Sequence, residues 1–208
     1  TPIPRSLVLT YFGDMDVSIL DEKPAGRQPI DTRLIDIERI GEVASGIGRA
    51  IAGGARVYWV CPLVADSENT DLAAATGRFE DLQRLFPGRV GLVHGQMKGA
   101  DKDEAVRRFQ SGETAVLVST TVIEVGVDVP EASIMVIEHA ERFGLAQLHQ
   151  LRGRVGRGAA KSSCLLLYKT PLGETAGARL KMLRETEDGF RIAEEDLRLR
   201  GEGDVLGT

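Results

Sequence analysis

"RVYWVCPLV", residues 56–64, is an almost unbroken run of apolar residues rich in β-branched and aromatic types. Such a run is typical of a β-strand that is covered on both faces. Four more runs of this kind follow it: "RVGLVH" (89–94), "TAVLVST" (114–120), "ASIMVIEH" (132–139) and "SSCLLLYK" (162–169). Because helical patterns separate the runs, the sequence predicts an α/β fold, a parallel sheet flanked by helices.

The helical patterns between these strands differ in how clearly they are marked. Residues 37–51 place apolar side chains at helical spacing and end in "AGGA", so we interpret "GIGRAIAGG" (46–54) as a helix and its terminus rather than a phosphate-binding loop. Asp101 and Glu104 predict a capping box that opens the next helix. A further helix is predicted over 145–154.

After Lys169 the pattern changes to two charged helical segments, 174–187 and 190–199, which predict a helical hairpin broken at Asp188-Gly189. In this hairpin we expect three residues of the second helix to form one apolar stripe packed on Leu180 and Leu183 of the first. The stripe consists of Phe190, Ala193 and Leu197.

Charge and cysteine content limit the function classes. The 208 residues carry a net charge of −5, so the chain is not a wholly basic nucleic-acid binder, and any electrostatic footprint must be local. From Arg142 to Lys161 there are five Arg or Lys residues and no Asp or Glu. Cys61 and Cys164 each lie within an apolar strand, which predicts buried, reduced thiols and no metal site.

"QLRGRVGRG", residues 150–158, places three arginines within six residues and separates them with glycines. Glycine beside arginine lets a planar guanidinium approach a phosphate closely and bidentately. Taken alone, the stretch also fits a solvated basic turn. Its spacing, Gln-x-x-Gly-Arg-x-Gly-Arg from Gln150 to Arg157, resembles the sixth motif of superfamily two helicases. This resemblance implies a RecA-like fold.

The resemblance also assigns roles to the residues of this stretch. It implies that Arg157 is an arginine finger, with Arg154 beside it, that reaches the γ-phosphate of ATP held by a first motor domain. By the same resemblance Gln150 and Gly153 lie at the ATP site.

Two other stretches resemble elements of the same family. "VSTTVIEVGVDVP" (118–130) is similar to the fifth motif, which implies that Thr120 and Thr121 face DNA while Gly126 and Asp128 face ATP. Without that context, the two threonines would be a helix N-cap after a strand.

"VHGQMKGADKDEAVRRF" (93–109) resembles the element between the fourth and fifth motifs. The resemblance implies that the turn of His94 and Gly95 lies near the nucleic-acid backbone. A plain histidine at a strand end is the competing interpretation of His94.

Within the superfamily, "RFGLAQLHQLRGRVGRG" (142–158) resembles the double-stranded DNA translocases. This implies an ATP-dependent helicase that remodels stalled replication forks and branched recombination intermediates such as Holliday junctions, in DNA repair and recombination. A bacterial, cytoplasmic and nucleoid-associated location is expected, with no membrane partner. The alternatives are a transcription-repair coupling factor-like translocase, a nucleotide-independent DNA-binding module, and a metabolic α/β enzyme with its own phosphate site.

The resemblance also predicts how the chain is organised. Residues 1–170 would be the second RecA-like motor domain, beginning with the tail of the third motif, and 171–208 the hairpin and the start of a translocation motif. Arg198 and Arg200 would tie this hairpin to neighbouring segments and couple it to the motor. The sequence contains no phosphate-cradling loop and no DExH-type acidic box. The resemblance implies that both belong to a first motor domain, which would mainly hold ATP and Mg²⁺. That domain and a wedge domain are expected elsewhere in the same, longer protein.

Overall fold

The computed structural model describes residues 28–62, 68–120, 129–158 and 161–200, which form one sheet with helices on both faces. All six strands run parallel to one another. They are β1 Ile30–Asp36, β2 Arg56–Cys61, β3 Val90–Val93, β4 Val116–Thr120, β5 Ala132–Ile137 and β6 Ser162–Tyr168. The five strands predicted from apolar runs are confirmed, and β1 is additional.

The strands lie side by side in the order β1-β6-β5-β2-β4-β3. β2 lies inside the sheet, with β5 on one side and β4 on the other. Trp59 and Val60 of β2 are therefore completely buried. β1 and β3 form the two edges of the described sheet, and the first strand in the sequence pairs with the last.

The two faces of the sheet are covered by different helices. The first face packs against α1 (Ile40–Ala52) and α2 (Glu68–Leu85). The second packs against four helices: α3 Gly99–Ser111, α4 Leu145–Arg152, α5 Glu174–Glu185 and α6 Gly189–Arg200. Coverage of both faces explains why the inner strands are continuous apolar runs. In these described ranges no helix combines the length and the hydrophobicity needed to cross a membrane.

The helix predicted over 37–51 is present, with a change in its first turn. Residues Ile37–Arg39 form a 3-10 turn in which the Asp36 carboxylate accepts a hydrogen bond from the backbone N–H of Glu38 at 3.0 Å. α1 follows and buries Val43 and Ile47. "GIGRAIAGG" lies within α1 and the turn after it, which confirms its interpretation as a helix and its terminus.

The predicted capping box at Asp101 and Glu104 is wrong. α3 begins two residues earlier, at Gly99, so Asp101 lies in its first turn, where a negative charge still favours the helix dipole. The Glu104 carboxylate does not reach back to the helix start, because it accepts hydrogen bonds from Arg107 one turn later at 2.6 and 2.7 Å. α3 is fixed by burial of Phe109, whose ring lies 5.0 Å from that of Tyr58.

The helical hairpin is confirmed as α5 and α6, joined by residues 186–188. The carboxylate of Asp188 accepts a hydrogen bond from the backbone N–H of Phe190 at 2.9 Å, which caps the start of α6. Leu180 and Leu183 are buried in the same hydrophobic cluster as the second face of the sheet. The hairpin therefore packs directly on the sheet.

The predicted stripe on α6 is wrong. Phe190 is 42% exposed and Leu197 is 51% exposed, whereas Ile192 is completely buried. Phe190 and Ile192 are two residues apart, which is about 200° around the helix axis, so they lie on opposite faces and only one of them can point toward α5. Ile192 is the residue that holds α6 in the core.

Candidate functional site

The glycine-rich arginine stretch forms the end of α4 and the loop that leads into β6. We call residues 153–158 the arginine loop. Leu145 and Leu148, both fully buried, hold α4 on the second face of the sheet. The helix closes at Gly153, whose backbone N–H donates to the carbonyl of His149 at 3.0 Å. The position of the arginine loop is thus set by the packing of α4.

Two glycines allow the arginine loop to lie directly on its neighbours. Gly156 has a φ of +78°, and a Cβ at this position would approach the Ile30 side chain of β1 to 3.0 Å. Gly158 touches the backbone carbonyl of Pro130, just before β5. The loop therefore fits between two strand beginnings only because these positions carry no side chain.

Two arginines alternate with an apolar residue in this loop. Val155 is completely buried, whereas Arg154 is partly exposed and Arg157 is exposed. Arg157 Nε donates to the carbonyl of Gly153 at 3.3 Å, so the guanidinium folds back over the end of α4. Gln150 is exposed on the last turn of that helix. The loop presents fixed positive charge, which suits a phosphate ligand.

The third arginine of the stretch behaves differently. Arg152 is only 2% exposed, and its guanidinium donates to the carbonyl of Leu183 on α5 and to Nδ1 of His149, the latter at 3.0 Å. The sequence analysis gave Arg152 no role and did not predict that it is buried. A signal existed, because Arg152 follows the buried Leu145 and Leu148 at spacings of seven and four, which places it on the inner face of α4.

A second group of predicted residues lies at the carboxyl ends of β3 and β4. Thr120 is the last residue of β4 and is 5% exposed, while His94 and the exposed Gly95 directly follow β3. The Lys102 ammonium donates to the carbonyl of Gly95 at 2.8 Å. Burial, together with the charge of Lys102, holds the pKa of His94 below its usual value.

The topology separates these two groups. In a parallel sheet all strands begin on one side, which we call the amino edge, and end on the opposite side, the carboxyl edge. These two are distinct from the lateral edges that β1 and β3 form. The arginine loop precedes β6 and Pro130 precedes β5, so both lie at the amino edge, whereas His94 and Thr120 lie at the carboxyl edge. The sheet therefore stands between Arg154 and Arg157, which are assigned to ATP, and His94 and Thr120, which are assigned to DNA. Thr121, Gly126 and Asp128 lie outside the described residues.

A buried carboxylate at the carboxyl end of β5 was missed from the sequence. Glu138 accepts hydrogen bonds from Trp59 Nε1 and Arg78 Nε, both at 2.5 Å, and from Arg78 Nη2 at 3.2 Å. The Arg78 guanidinium also lies 5.9 Å from the Trp59 ring. A buried carboxylate with this many donors is satisfied, and it ties α2 to β2 and β5.

The structure describes the side chain of one of the two hairpin arginines. Arg198 donates from two nitrogens to Glu195 one turn earlier on α6, at 2.5 and 2.9 Å. This pair lies within α6, and the expectation that Arg198 ties α6 to a neighbouring segment stays a prediction. The side chain of Arg200, which ends α6, lies outside the described residues.

Comparison with known proteins gives consistent results. A model of the helicase conserved C-terminal domain matches residues 49–159. The ATP-dependent DNA helicases RecG of Acidithiobacillus ferridurans and of Escherichia coli strain K12 are 54% and 53% identical to the chain. These alignments cover all of the chain but 31% and 30% of the two relatives. The chain thus spans about a third of the length of the curated relatives it matches.

Solved structures of helicases are also similar to the chain. A structure of RecG bound to a three-way DNA junction superposes with a TM-score of 0.81 at 44% identity, covering 99% of this chain and 27% of that one. Domain 2 of the DEAD-box helicase Mss116p bound to an RNA duplex superposes with a TM-score of 0.59 at 16% identity, covering 76% and 62% of the respective chains. The second likeness shows the fold alone. Together they confirm the RecA-like fold.

Proposed function

Because this chain belongs to the helicase conserved C-terminal domain family, we propose that it is the second motor domain of an ATP-dependent helicase that translocates on double-stranded DNA. The observation that carries the proposal is the arginine loop. Its backbone is fixed between β1 and Pro130, while Arg154 and Arg157 remain at least partly exposed. Fixed guanidinium groups that need no reorganisation stabilise charge that develops during a reaction.

In this proposal the arginine loop acts on the γ-phosphate of ATP. Arg157 and Arg154 stabilise the negative charge that develops on the phosphoryl oxygens while water attacks. Gln150 and Gly153 border the same position at the end of α4, and Gly126 and Asp128 are assigned to it by resemblance. When hydrolysis removes the γ-phosphate, the two guanidinium groups lose their target, and the closure of the motor relaxes.

We assign the phosphate cradle and Mg²⁺ mainly to a first motor domain of the same protein. The described residues contain no group of three or more His, Cys, Asp or Glu that could hold a metal ion. They do offer guanidinium groups, which are the fitting partner for phosphate oxygens. When bound, ATP with its Mg²⁺ supplies the phosphoryl group and the free energy for movement.

The carboxyl edge of the sheet is the proposed DNA-binding edge. His94 and Gly95 form the turn after β3, and the nearby Lys102 adds a positive charge. Thr120, at the end of β4, and Thr121 are assigned to the DNA backbone by resemblance. Contacts with phosphates carry no base information, so binding is expected to tolerate sequence changes and to weaken with salt.

Branched DNA is the substrate that we propose in preference to the substrate of a coupling factor-like translocase. The relative of known structure with 44% identity was solved on a three-way DNA junction. A stalled replication fork has that three-armed geometry, and a Holliday junction is a related branch point with four arms. A cytoplasmic, nucleoid-associated location in a bacterium follows from a chromosomal substrate, and a wedge domain that grips the junction belongs to the same proposal.

The test uses the full-length protein, meaning this chain together with the further length that the RecG relatives carry. Arg157→Ala should lower DNA-stimulated ATP hydrolysis by about a thousandfold or more, by analogy with other arginine fingers. Arg157→Lys should rescue little, because an ammonium cannot reproduce the planar fork of guanidinium. Binding to a three-way junction should remain within about twofold of wild type, since the arginine loop lies at the opposite edge of the sheet.

Arg142→Ala is the matched control, because Arg142 is an exposed arginine of the same basic segment but lies outside the arginine loop. It should keep the wild-type rate. An Arg157→Ala variant that retains half of the wild-type rate of ATP hydrolysis would show that the arginine loop is only a solvated basic turn. That outcome would overturn the proposal.

A further inference from the structure

β3 forms one lateral edge of the described sheet and presents unpaired backbone groups there. The backbone N–H of Val116 in β4 donates to the carbonyl of Arg89 at 3.1 Å. Because successive residues of a strand direct their hydrogen-bonding groups to alternate sides, the N–H and C=O groups of Val90 and Leu92 point away from β4. No group in the described part of the chain forms a hydrogen bond with them.

The other lateral edge is protected. β1 carries Asp31 and Arg33, which pair with each other, and the N–H of Ile30 at its start donates to the Glu187 carboxylate. Charged side chains and occupied backbone groups discourage a further strand from pairing with a sheet edge. β3, with the sequence "VGLV", contains neither a charged residue nor a proline. Of the two lateral edges, β3 is therefore the one that is open to a further strand.

A groove of about 310 Å³ runs along β3 between α2 and α3. Its wall toward the first face of the sheet is apolar, since Phe79 of α2 and Leu92 pack against the hydrophobic cluster of that face. Thr114 also lines the groove. This residue is 1% exposed, and its hydroxyl has no hydrogen-bond partner among the described residues. A buried hydroxyl is costly without a partner, so a polar group of a bound segment would satisfy it.

The wall toward the second face carries charge. Asp101, Glu104 and Arg108 line it, one turn apart along α3. Glu104 is paired with Arg107 at 2.6 Å. Arg108 is paired with Glu113 at 2.7 Å. The exposed carboxylate of Asp101 has no ionic partner in the described ranges, so this wall keeps one uncompensated negative charge, in the first turn of α3.

We propose that this groove is a docking site for an extended segment of a partner protein, which joins the sheet as a further strand beside β3. Side chains of a strand alternate between the two faces of its sheet. Those on the first face would meet Phe79 and Leu92, and those on the second would meet Asp101. The segment that fits therefore alternates apolar residues with Lys or Arg. Its backbone bonds to the free groups of Val90 and Leu92.

The site goes beyond the proposed function and does not depend on it. The arginine loop leads into β6, and three strands, β5, β2 and β4, lie between β6 and β3. A segment bound beside β3 would thus leave Arg154 and Arg157 uncovered. The motor could carry its partner while it hydrolyses ATP.

The experiment uses the full-length protein and a fluorescein-labelled peptide of seven residues in which valine and lysine alternate. This pattern is the same in both strand directions, so the probe fits a parallel or an antiparallel addition. Fluorescence anisotropy should show saturable binding. A peptide of the same composition, with its valines in one block and its lysines in another, should bind about fivefold more weakly, because it cannot separate the two kinds of side chain onto opposite faces.

Charge reversal tests the acidic wall. Asp101→Lys should weaken binding of the alternating peptide about fivefold, because an attraction becomes a repulsion, and Asp101→Asn should give an intermediate value. Asp103→Lys is the matched control, since Asp103 is an exposed acid of the same helix that does not line the groove. Its affinity should stay within about twofold of wild type.

Amide hydrogen exchange, resolved to single residues, gives a readout that is specific to strand addition. The Val90 and Leu92 amides should exchange about tenfold more slowly when the alternating peptide is bound. The amides of Gly91 and Val93 face β4 in the parallel ladder and should not change. This alternation along β3 distinguishes a paired strand from a peptide that merely adheres to the acidic surface.

Four outcomes would overturn the proposal. The first is no saturable binding of the alternating peptide, and the second is equal affinity for the alternating and the block peptide. The third is binding without slower exchange at Val90 and Leu92. The fourth is that both amides are already protected in the full-length protein without peptide. In that case sedimentation would tell whether a second copy or another part of the same protein occupies the groove.

Discussion

Gly158 lies against Pro130 so closely that a Cβ atom on residue 158 would be 2.6 Å from the carbonyl oxygen of Pro130. Real Cβ atoms do not approach a backbone oxygen to this distance, so the two segments touch backbone to backbone. Pro130 ends one of the two stretches assigned to ATP, and Gly158 ends the other. Their contact joins the two stretches at the amino edge of the sheet.

Gly158→Ala should displace the arginine loop, because the backbone of Pro130 cannot give way as a flexible side chain would. In the full-length protein we expect a lower rate of ATP hydrolysis and a KM for ATP raised several-fold. Steady-state kinetics would measure both. Gly173→Ala is the control, since nothing lies within 4 Å of a Cβ at that position. Wild-type kinetics in Gly158→Ala would show that the contact has no functional role.

Ile192→Ala should destabilise the protein far more than Leu197→Ala. Ile192 is completely buried beneath α6, and a large-to-small change at such a site costs about 2–5 kcal/mol of unfolding free energy. Leu197 is 51% exposed, so its truncation should change that free energy by about 0.5 kcal/mol or less. Urea denaturation of the two variants provides the comparison. Equal losses would contradict the inward orientation of Ile192.

The imidazole of His94 should titrate at a pH below about 6.5, the usual value for histidine. Burial is the main cause of its lowered pKa, and the Lys102 ammonium adds to it. The unfolded chain therefore binds the proton more readily, so the stability that His94 contributes is intact above about pH 6.5 and declines as pH falls through the folded pKa.

Replacing Lys102 by Met should raise the pKa of His94, since one of the two causes is removed. An NMR titration that follows the imidazole protons of His94 would measure both values. A pKa of His94 that does not rise in Lys102→Met would mean that the ammonium has no electrostatic effect on the ring.

Both thiols should resist alkylation in the folded protein at pH 8. Burial raises the pKa of Cys164 to about 12, and burial together with the Glu138 carboxylate raises the pKa of Cys61 as well. The reactive species is the thiolate, so folded protein should incorporate no iodoacetamide and urea-unfolded protein should incorporate two equivalents.

The same shifts predict that stability falls as pH rises above about 8.5, because only the unfolded chain then loses its thiol protons. Mass spectrometry would count the alkyl groups in each state. Cys164→Ala should reduce the count in urea to one. Rapid labelling of the folded wild type would contradict the burial of these side chains.

The inner strands could be predicted from the sequence because burial on both faces leaves a continuous apolar run. β1 could not be predicted in this way. It lies at the edge of the sheet, and its sequence, "IDTRLID", places Asp31 and Arg33 on an exposed side, where they pair with each other at 2.6 Å. The alternation of buried and exposed residues in β1 is a strand signal. The alternating stretch is short, however, and the strand runs directly into a helix.

The candidate site was predictable in its residue types and not in its layout. Motif spacing assigns Arg157 to ATP and His94 to DNA, but spacing carries no information on which edge of the sheet each one occupies. The sequence also could not predict which face of α6 is buried, because Phe190 and Ile192 are both apolar and lie on different faces of the helix. Tertiary packing against Leu183 and its neighbours decides between them.

The pairing of β1 with β6 governs the order in which a nascent chain can fold. Ile30 lies opposite Ser162, so within the described sheet β1 gains its strand partner only after about 130 further residues have been synthesised. At about 5–20 residues per second this delay is roughly 7–26 seconds. Gly156 packs on Ile30, and the arginine loop therefore takes its final shape only after the sheet is complete.

A ribosome-bound chain should gain protease resistance around β1 only after Tyr168 has left the exit tunnel. Protection at shorter lengths would show that β1 finds another partner first. Until that moment the apolar side of β1 stays exposed, and the arginine loop lacks the Ile30 contact against which Gly156 packs.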